Sequence, residues 1–369
     1  MIRNVGLPSI REAAQLACSR AVLAAVALGF FLPATASAQE LRKVSFGLPV
    51  ANINSSYCMF PVATAMGYFS DEGLDVSINQ IGGSTAVVQN VLSGGLDVGG
   101  AIAEPILKAI SDGYPLTMTY NYVRRSAASV AVLEDSPIQS LMDLRGKKLG
   151  AQSLGSGNIM LTNAILSKLG IDPKTEITYL SVGIGGQALQ AVRSGHVDGL
   201  VLFDSLYAQM EAAGAKFRYF FGEGQDQLFS TQFVMRKEAV EQDPKMVEGF
   251  GRAIAKATLF ATENPEACVR MMWEVFPTSR VAGMSEQDQL RNDLAVINKR
   301  LEFVVPDKPD GWGLYNAADV EVVNAFVAEG GIIPEPFKDV SGLYTNDFGA
   351  KYNDFDREKV IQEAKDWKP

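Results

Sequence analysis

The chain has 369 residues, 47% of them hydrophobic and 20% charged, with a formal net charge of −9. An acidic chain with no basic stripe is not built for nucleic acid or anionic lipid. Its one histidine, His196, excludes most zinc sites and any serine–histidine triad needing another.

The first segment reads as an address. Arg3, Arg11 and Arg20 precede an apolar run at 21–32, and Ala36-Ser37-Ala38 follows it. This is the pattern of a secretory signal peptide covering residues 1–38, cleaved after Ala38. The run is broken by Pro33 and Thr35 and falls short of the ~20 apolar residues of a spanning helix. Cys18 lies before the run, the wrong side for a lipoprotein anchor. Removal leaves 331 residues and a charge of about −11. That length exceeds one comfortable core, so two lobes are expected in a soluble, monomeric, exported protein. Cys58 and Cys268 then remain. Export permits a disulfide, the long separation leaves pairing open, and two buried thiols are the plainer expectation.

Along the mature chain, short apolar runs alternate with helical patterns, which predicts an α/β fold with mainly parallel sheets. A strand is expected at 43–50, a helix at 56–67, a strand at 74–80 and a helix at 84–93. A strand at 97–101 and a helix at 104–112 follow. Strands at 116–123 and 129–133 flank Arg124-Arg125. The polar stretch 143–150 feeds a further strand. Then come a helix at 158–169, a strand at 177–182, a helix at 187–194, a strand at 198–203 and a helix at 205–213. Strands at 217–221 and 228–235 are the last, and the rest is mostly helical. Residues 89–97 resemble residues 190–198: both run through Ser-Gly, two residues, then Asp. Gly82-Gly83 and Gly185-Gly186 precede the two helices. Two lobes built from one βαβ unit, or the common punctuation of α/β chains, both account for this.

Ligands of parallel α/β sheets sit beyond the strands' carboxyl ends, where helix starts offer free N–H groups and a partial positive charge. Four segments have the small and hydroxylated residues such a site needs. They are 52–57, with Asn54, Ser55 and Tyr57; 82–85, with Gly83, Ser84 and Thr85; 153–158, with Ser153, Gly155, Ser156, Gly157 and Asn158; and 182–187, with Gly183. The same residue types also serve as plain helix caps. Gly183, Gly185 and Ala188 fit a dinucleotide fingerprint, but Asp198 and Asp204 fall short of its ~20-residue spacing to an acidic residue. Arg124 or Arg125, at the expected crossover, faces a bound anion or else a solvated turn. Tyr57, Tyr122, Phe203 and Tyr207 are stacking or core aromatics. Glu104 and Asp204 follow equivalent strands and either accept from a ligand or favour helix starts. No nucleophile–base pair or metal cage emerges, so no catalytic residue, metal or cofactor is expected.

Gly67-Tyr68-Phe69, Glu72-Gly73-Leu74-Asp75-Val76, Gly82-Gly83, Ser93-Gly94 with Asp97, Asp143-Leu144-Arg145-Gly146-Lys147-Lys148 and Tyr344-Thr345-Asn346-Asp347-Phe348 carry a resemblance. The chain resembles the nitrate/sulfonate/taurine and thiamine-pyrimidine-precursor family of ABC solute-binding proteins. The resemblance implies a type II periplasmic binding fold with two crossovers, one lobe at 41–124 plus 220–369 and the other at 125–219. It implies a periplasmic protein whose hinge closes on a ligand and which delivers it to an ABC importer permease. The family's ligand loops fall on the four segments above. Fungal pyrimidine synthases of this fold use histidine and a cysteine-rich motif that this chain lacks, so it is expected not to be an enzyme. The favoured ligand is a small organic anion, a sulfonate or carboxylate, aromatic or not. A neutral pyrimidine is the alternative, as is an exported enzyme or a sensor acting in trans.

Overall fold

Residues 40–369 are described by the structure, a computed structural model; the expected signal peptide and its cleavage site lie outside the described residues. The first strand, β1 (Arg42–Leu48), leads through a 3-10 turn (Ser55–Tyr57) into α1 (Met59–Ala65) and α2 (Tyr68–Asp71). Then follow β2 (Leu74–Gln80), α3 (Ser84–Leu92), β3 (Val98–Ile102), α4 (Ala103–Ser111) and β4 (Leu116–Asn121). The chain crosses over and builds β5 (Ala128–Leu133), β6 (Lys147–Ala151), α5 (Gly157–Lys168), β7 (Ile177–Ser181), α6 (Gly186–Arg193), β8 (Gly199–Phe203), α7 (Asp204–Ala212) and β9 (Phe217–Phe220). It returns through β10 (Thr231–Arg236) to α8 (Lys237–Gln242), α9 (Pro244–Glu263), α10 (Pro265–Val275), α11 (Glu286–Val304), α12 (Ala317–Glu329), α13 (Gly349–Tyr352) and α14 (Arg357–Asp366).

These elements make two α/β lobes joined by two crossovers. The sheet orders are β2-β1-β3-β10-β4 and β7-β6-β8-β5-β9. Laid over one another, the orders match strand for strand. In each sheet the first three strands are parallel, and the fourth, which arrives straight from a crossover, is antiparallel. The resemblance between residues 89–97 and 190–198 therefore joins equivalent places, the ends of α3 and α6 and the starts of β3 and β8. Burial on both faces explains the continuous apolar strands: β3 and the first four residues of β8 are fully buried. At Gly99 a side chain would collide with Val87 and Val91, so glycine there lets α3 lie close on the sheet.

The first lobe's core is aromatic, with Phe46 packed against Phe60, Phe233 and Phe250. The second lobe packs Leu200, Leu206 and Tyr207 on one side of its sheet and Val201, Leu166 and Leu144 on the other. The crossovers hold each other: Val123 N donates to Thr231 O, and Ser230 N donates to Val123 O, both at 2.8 Å. One expectation is corrected. Cys58 and Cys268 are not free thiols but a disulfide, with Cα atoms 5.4 Å apart. The packing of α10 against α1 brings them together, which no local pattern announces. None of the described helices is long and apolar enough to cross a membrane.

Candidate functional site

The matching topologies place the four glycine-rich segments in equivalent pairs. Segment 52–57 follows β1 as 153–158 follows β6, and 82–85 follows β2 as 182–187 follows β7. Across the interlobe gap each first-strand loop meets the other lobe's second-strand loop. At one junction Ser153 Oγ donates to Gly82 O, and Thr85 N donates to Gly155 O at 3.4 Å. Gly83, at φ 147°, lies so close to the Gly155 carbonyl that a Cβ there would collide with backbone. At the other junction Asn52, Ile53 and Asn54 face Ile184, Gly185 and Gly186 across a groove of about 350 Å³.

Between the junctions lies a small interlobe cavity. Tyr57, Ser84, Thr231 and Arg300 line it from the first lobe, and Gln152, Ser156, Gly157, Asn158 and Phe203 from the second. Its volume is about 20 Å³, the size of a single water site. A larger solute therefore enters only with the lobes parted. The starts of α3 and α5 border it, and no side chain caps either one. Thr85 N is taken up by Gly155 O, which leaves the N–H groups of Ser84, Gly157 and Asn158 available to an oxygen-rich ligand.

The strongest charge here is Arg300, carried by α11. Its guanidinium reaches Asp204 Oδ1 of the second lobe at 2.7 Å and lies 5.6 Å from the Phe203 ring. Both side chains are at most 4% exposed. Arg300 Nε, Ser156 Oγ and Gln152 Oε1, on residues that line the cavity, are buried with no hydrogen-bond partner. Unmet polar atoms in one place are costly, and a ligand is the usual relief. Burial raises the Asp204 carboxyl above its ordinary value, against the pull of Arg300. Burial likewise pushes the Tyr57 hydroxyl up to about 12, so it stays a donor.

The turn beneath Tyr57 is held from several sides. Asn54 Oδ1 accepts from Ser56 N, and Ser55 Oγ donates to Asp293 Oδ1 at 3.0 Å. Trp273 Nε1 and Gln289 Nε2 donate to the same carboxylate's Oδ2. The Cys58–Cys268 disulfide adjoins this turn. Ser55 is therefore a positioning group, bonded away from the cavity.

Of the residues singled out from sequence, Tyr57, Ser84, Ser156, Gly157 and Asn158 line the cavity. Gly83, Thr85, Ser153 and Gly155 form the closed junction, and Asn54 lines the open groove. Tyr122 is packed between Phe60 and Phe233 outside the lining. Gly183 turns the chain at φ 70° beside the groove. Glu104 is buried at the start of α4, its Oε2 unpartnered and its carboxyl pushed up to about 7 by burial. The arginines at the crossover need correcting: neither borders the cavity. Strand β4 ends at Asn121, so the alternation expected at 124 and 125 does not apply. Arg124 donates to Gly311 O at 3.2 Å and Arg125 to Glu302 O at 2.8 Å. Arg300, Gln152 and Thr231 were missed. One signal for Arg300 existed: it falls on the buried stripe of α11 with Val296, Ile297, Leu301 and Val304.

The family model described as NMT1/THI5 like matches residues 54–268. A 4-amino-5-hydroxymethyl-2-methylpyrimidine phosphate synthase of Legionella pneumophila is 26% identical over 296 residues, covering 78% of this chain and 86% of that one. A solved structure from Bordetella bronchiseptica superposes with a TM-score of 0.70 at 21% identity, over 85% of this chain and 98% of the other. The periplasmic aliphatic sulphonate binding protein SsuA of Escherichia coli gives a TM-score of 0.60 at 18% identity, over 83% and 99%. At these identities the two structures share the fold with this chain.

Proposed function

The chain belongs to the NMT1/THI5-like family, and we propose that it captures a small organic anion between its lobes and hands it unchanged to an ABC importer in the membrane. The lobes, 41–124 with 220–369 and 125–219, part at the paired crossovers and close on the solute. One observation carries this reading. Two uncapped helix starts from opposite lobes and the buried Arg300 guanidinium converge on one cavity. Helix starts and arginine together suit a carboxylate or sulfonate, and Phe203 and Tyr57 accept a planar body. The role that Arg124 or Arg125 was expected to fill passes to Arg300. Export through the segment at 1–38 and delivery in the periplasm complete the proposal.

The Legionella relative is an enzyme. Against that chemistry here, His196 is exposed in the turn between α6 and β8, and Cys58 and Cys268 are bonded to each other. Binding without turnover fits these residues better. A second reading rests on the open groove. There Asn54 Nδ2 and Gln209 Oε1 are buried without partners. A donor and an acceptor lining one groove suit the ring nitrogen and amino group of a neutral pyrimidine.

Calorimetric titration with sulfonates, carboxylates and pyrimidines separates the readings. A small anion is expected to bind wild type. Arg300→Gln and Asn158→Leu are expected to weaken it about tenfold or more. A pyrimidine that binds in place of every anion, and is lost in Gln209→Leu, establishes the second reading instead. Chemical alteration of the recovered solute overturns both.

A further inference from the structure

A second concavity lies outside the cavity and the groove, on the hinge side of the molecule. The second lobe supplies Tyr207, Ala208 and Glu211 of α7, with Tyr219 and Phe221 at β9; the first supplies Ala295, Lys299 and Phe303 of α11. Its volume is about 410 Å³, within the range of small-molecule sites. Tyr219 and Phe221 stack with ring centroids 6.4 Å apart, and Phe221 is 61% exposed. Such an aromatic wall is expensive to leave in water unless something covers it.

The charges around it balance, and what they leave over is acceptor oxygens on two carboxylates. Lys299 Nζ is held by Glu302 at 2.8 Å and lies 5.6 Å from the Phe303 ring, and Arg125, 6.0 Å from the same ring, donates to Glu302 O. Arg300 is paired with Asp204 Oδ1. Asp204 also lines this pocket, 2% exposed, with Oδ2 unpartnered. Glu211 accepts from Tyr219 Oη through Oε1 at 2.7 Å, which leaves its second oxygen free of any side-chain bond. Aromatic faces beside two carboxylates are the chemistry that receives an organic ammonium ion carrying a ring.

We infer that this pocket between α7 and α11 is a second binding site, for a small aromatic ammonium compound, separate from the interlobe cavity. The ring lies against Tyr219, Phe221 and Phe303, and the ammonium donates to Asp204 Oδ2 and Glu211. The pocket adjoins the cavity through Ala127 and the Asp204–Arg300 pair, but Ala295, Phe221 and Glu211 do not border the cavity, so changes at them read the pocket alone.

Benzylamine is the probe, followed by calorimetry and saturation-transfer NMR on the full mature chain. Benzylamine is expected to saturate one site, and benzoate, the same ring with the opposite charge, to displace it about tenfold more weakly or worse than a second ammonium compound does, whether or not benzoate binds in the interlobe cavity. Ala295→Phe fills the pocket from an exposed position and should abolish binding. Phe221→Ser removes one stacking wall and should weaken it about threefold to tenfold. Both positions are exposed, so melting curves are expected to match wild type and any loss reads the site. Absence of saturable benzylamine binding, displacement of benzylamine by benzoate as readily as by another ammonium compound, or full affinity for benzylamine in Ala295→Phe overturns the inference.

Discussion

The two junctions between the lobes are built from equivalent segments and end differently. Where 82–85 meets 153–158, backbone rests on backbone and the gap is shut. Where 52–54 faces 184–186, no such backbone contact forms and a groove of about 350 Å³ remains. The equivalent carboxylates that open α4 and α7 differ in the same way. Asp204 has Arg300 across the cleft, while Glu104 has no partner at Oε2. Duplicated topology therefore delivers matching positions, and single residues decide which of them becomes a clamp.

The sharpest way to break this comparison is to remove the charge from one clamp. Arg300→Met leaves Asp204 buried without its partner, which should cost about 3–5 kcal/mol in urea unfolding. Arg300→Met with Asp204→Leu should recover most of that loss, because the uncompensated charge is gone. If the double variant is no more stable than the single, the pair is not the source of the effect.

Glu104 offers the complementary test. Its carboxyl sits near 7 in the folded protein against an ordinary 4.5, through burial. A folded value above the unfolded one means that its contribution is full below pH 4.5 and is lost as pH rises through 7. The loss amounts to about 3 kcal/mol by pH 8. Glu104→Gln should match wild type at pH 4.5 and unfold at higher urea at pH 8. Equal pH dependence in the two proteins would show that the buried carboxyl does not titrate as described.

A gentler comparison sets two glycines side by side. A Cβ at Gly83 strikes the fixed carbonyl of Gly155, while one at Gly185 meets only the Gln209 side chain, at 3.2 Å. Both have positive φ, so alanine costs each about 1 kcal/mol or more of stability. Only Gly83→Ala should also block closure, lowering solute affinity about tenfold or more in calorimetry. The smallest effect is expected at the crossover. Arg124→Ala and Arg125→Ala should leave solute affinity within about twofold of wild type, since both guanidinia are bonded to carbonyls near the end of α11.

The pattern of what sequence reveals follows from how far each feature reaches. Strands and helices were legible because their patterns are local; β2 falls on the expected 74–80 and α3 within one residue of it. The glycine-rich loops were legible because close backbone approach at a helix start demands small residues in a row. Arg300 was legible only as an arginine on the apolar stripe of α11, since its meaning depends on α11 reaching the other lobe. The disulfide was hidden for the same reason, its partners being joined only by the packing of α10 on α1. Arg124 and Arg125 misled because strand alternation was extended to positions three and four residues beyond the point where β4 stops.

The central claim is tested most directly by a crystal structure of the protein carrying the solute that copurifies from its host. The account predicts an intact solute between the starts of α3 and α5, within hydrogen-bonding distance of Arg300 and Asn158. Density for a solute that touches neither residue, or for a chemically altered product, would contradict it.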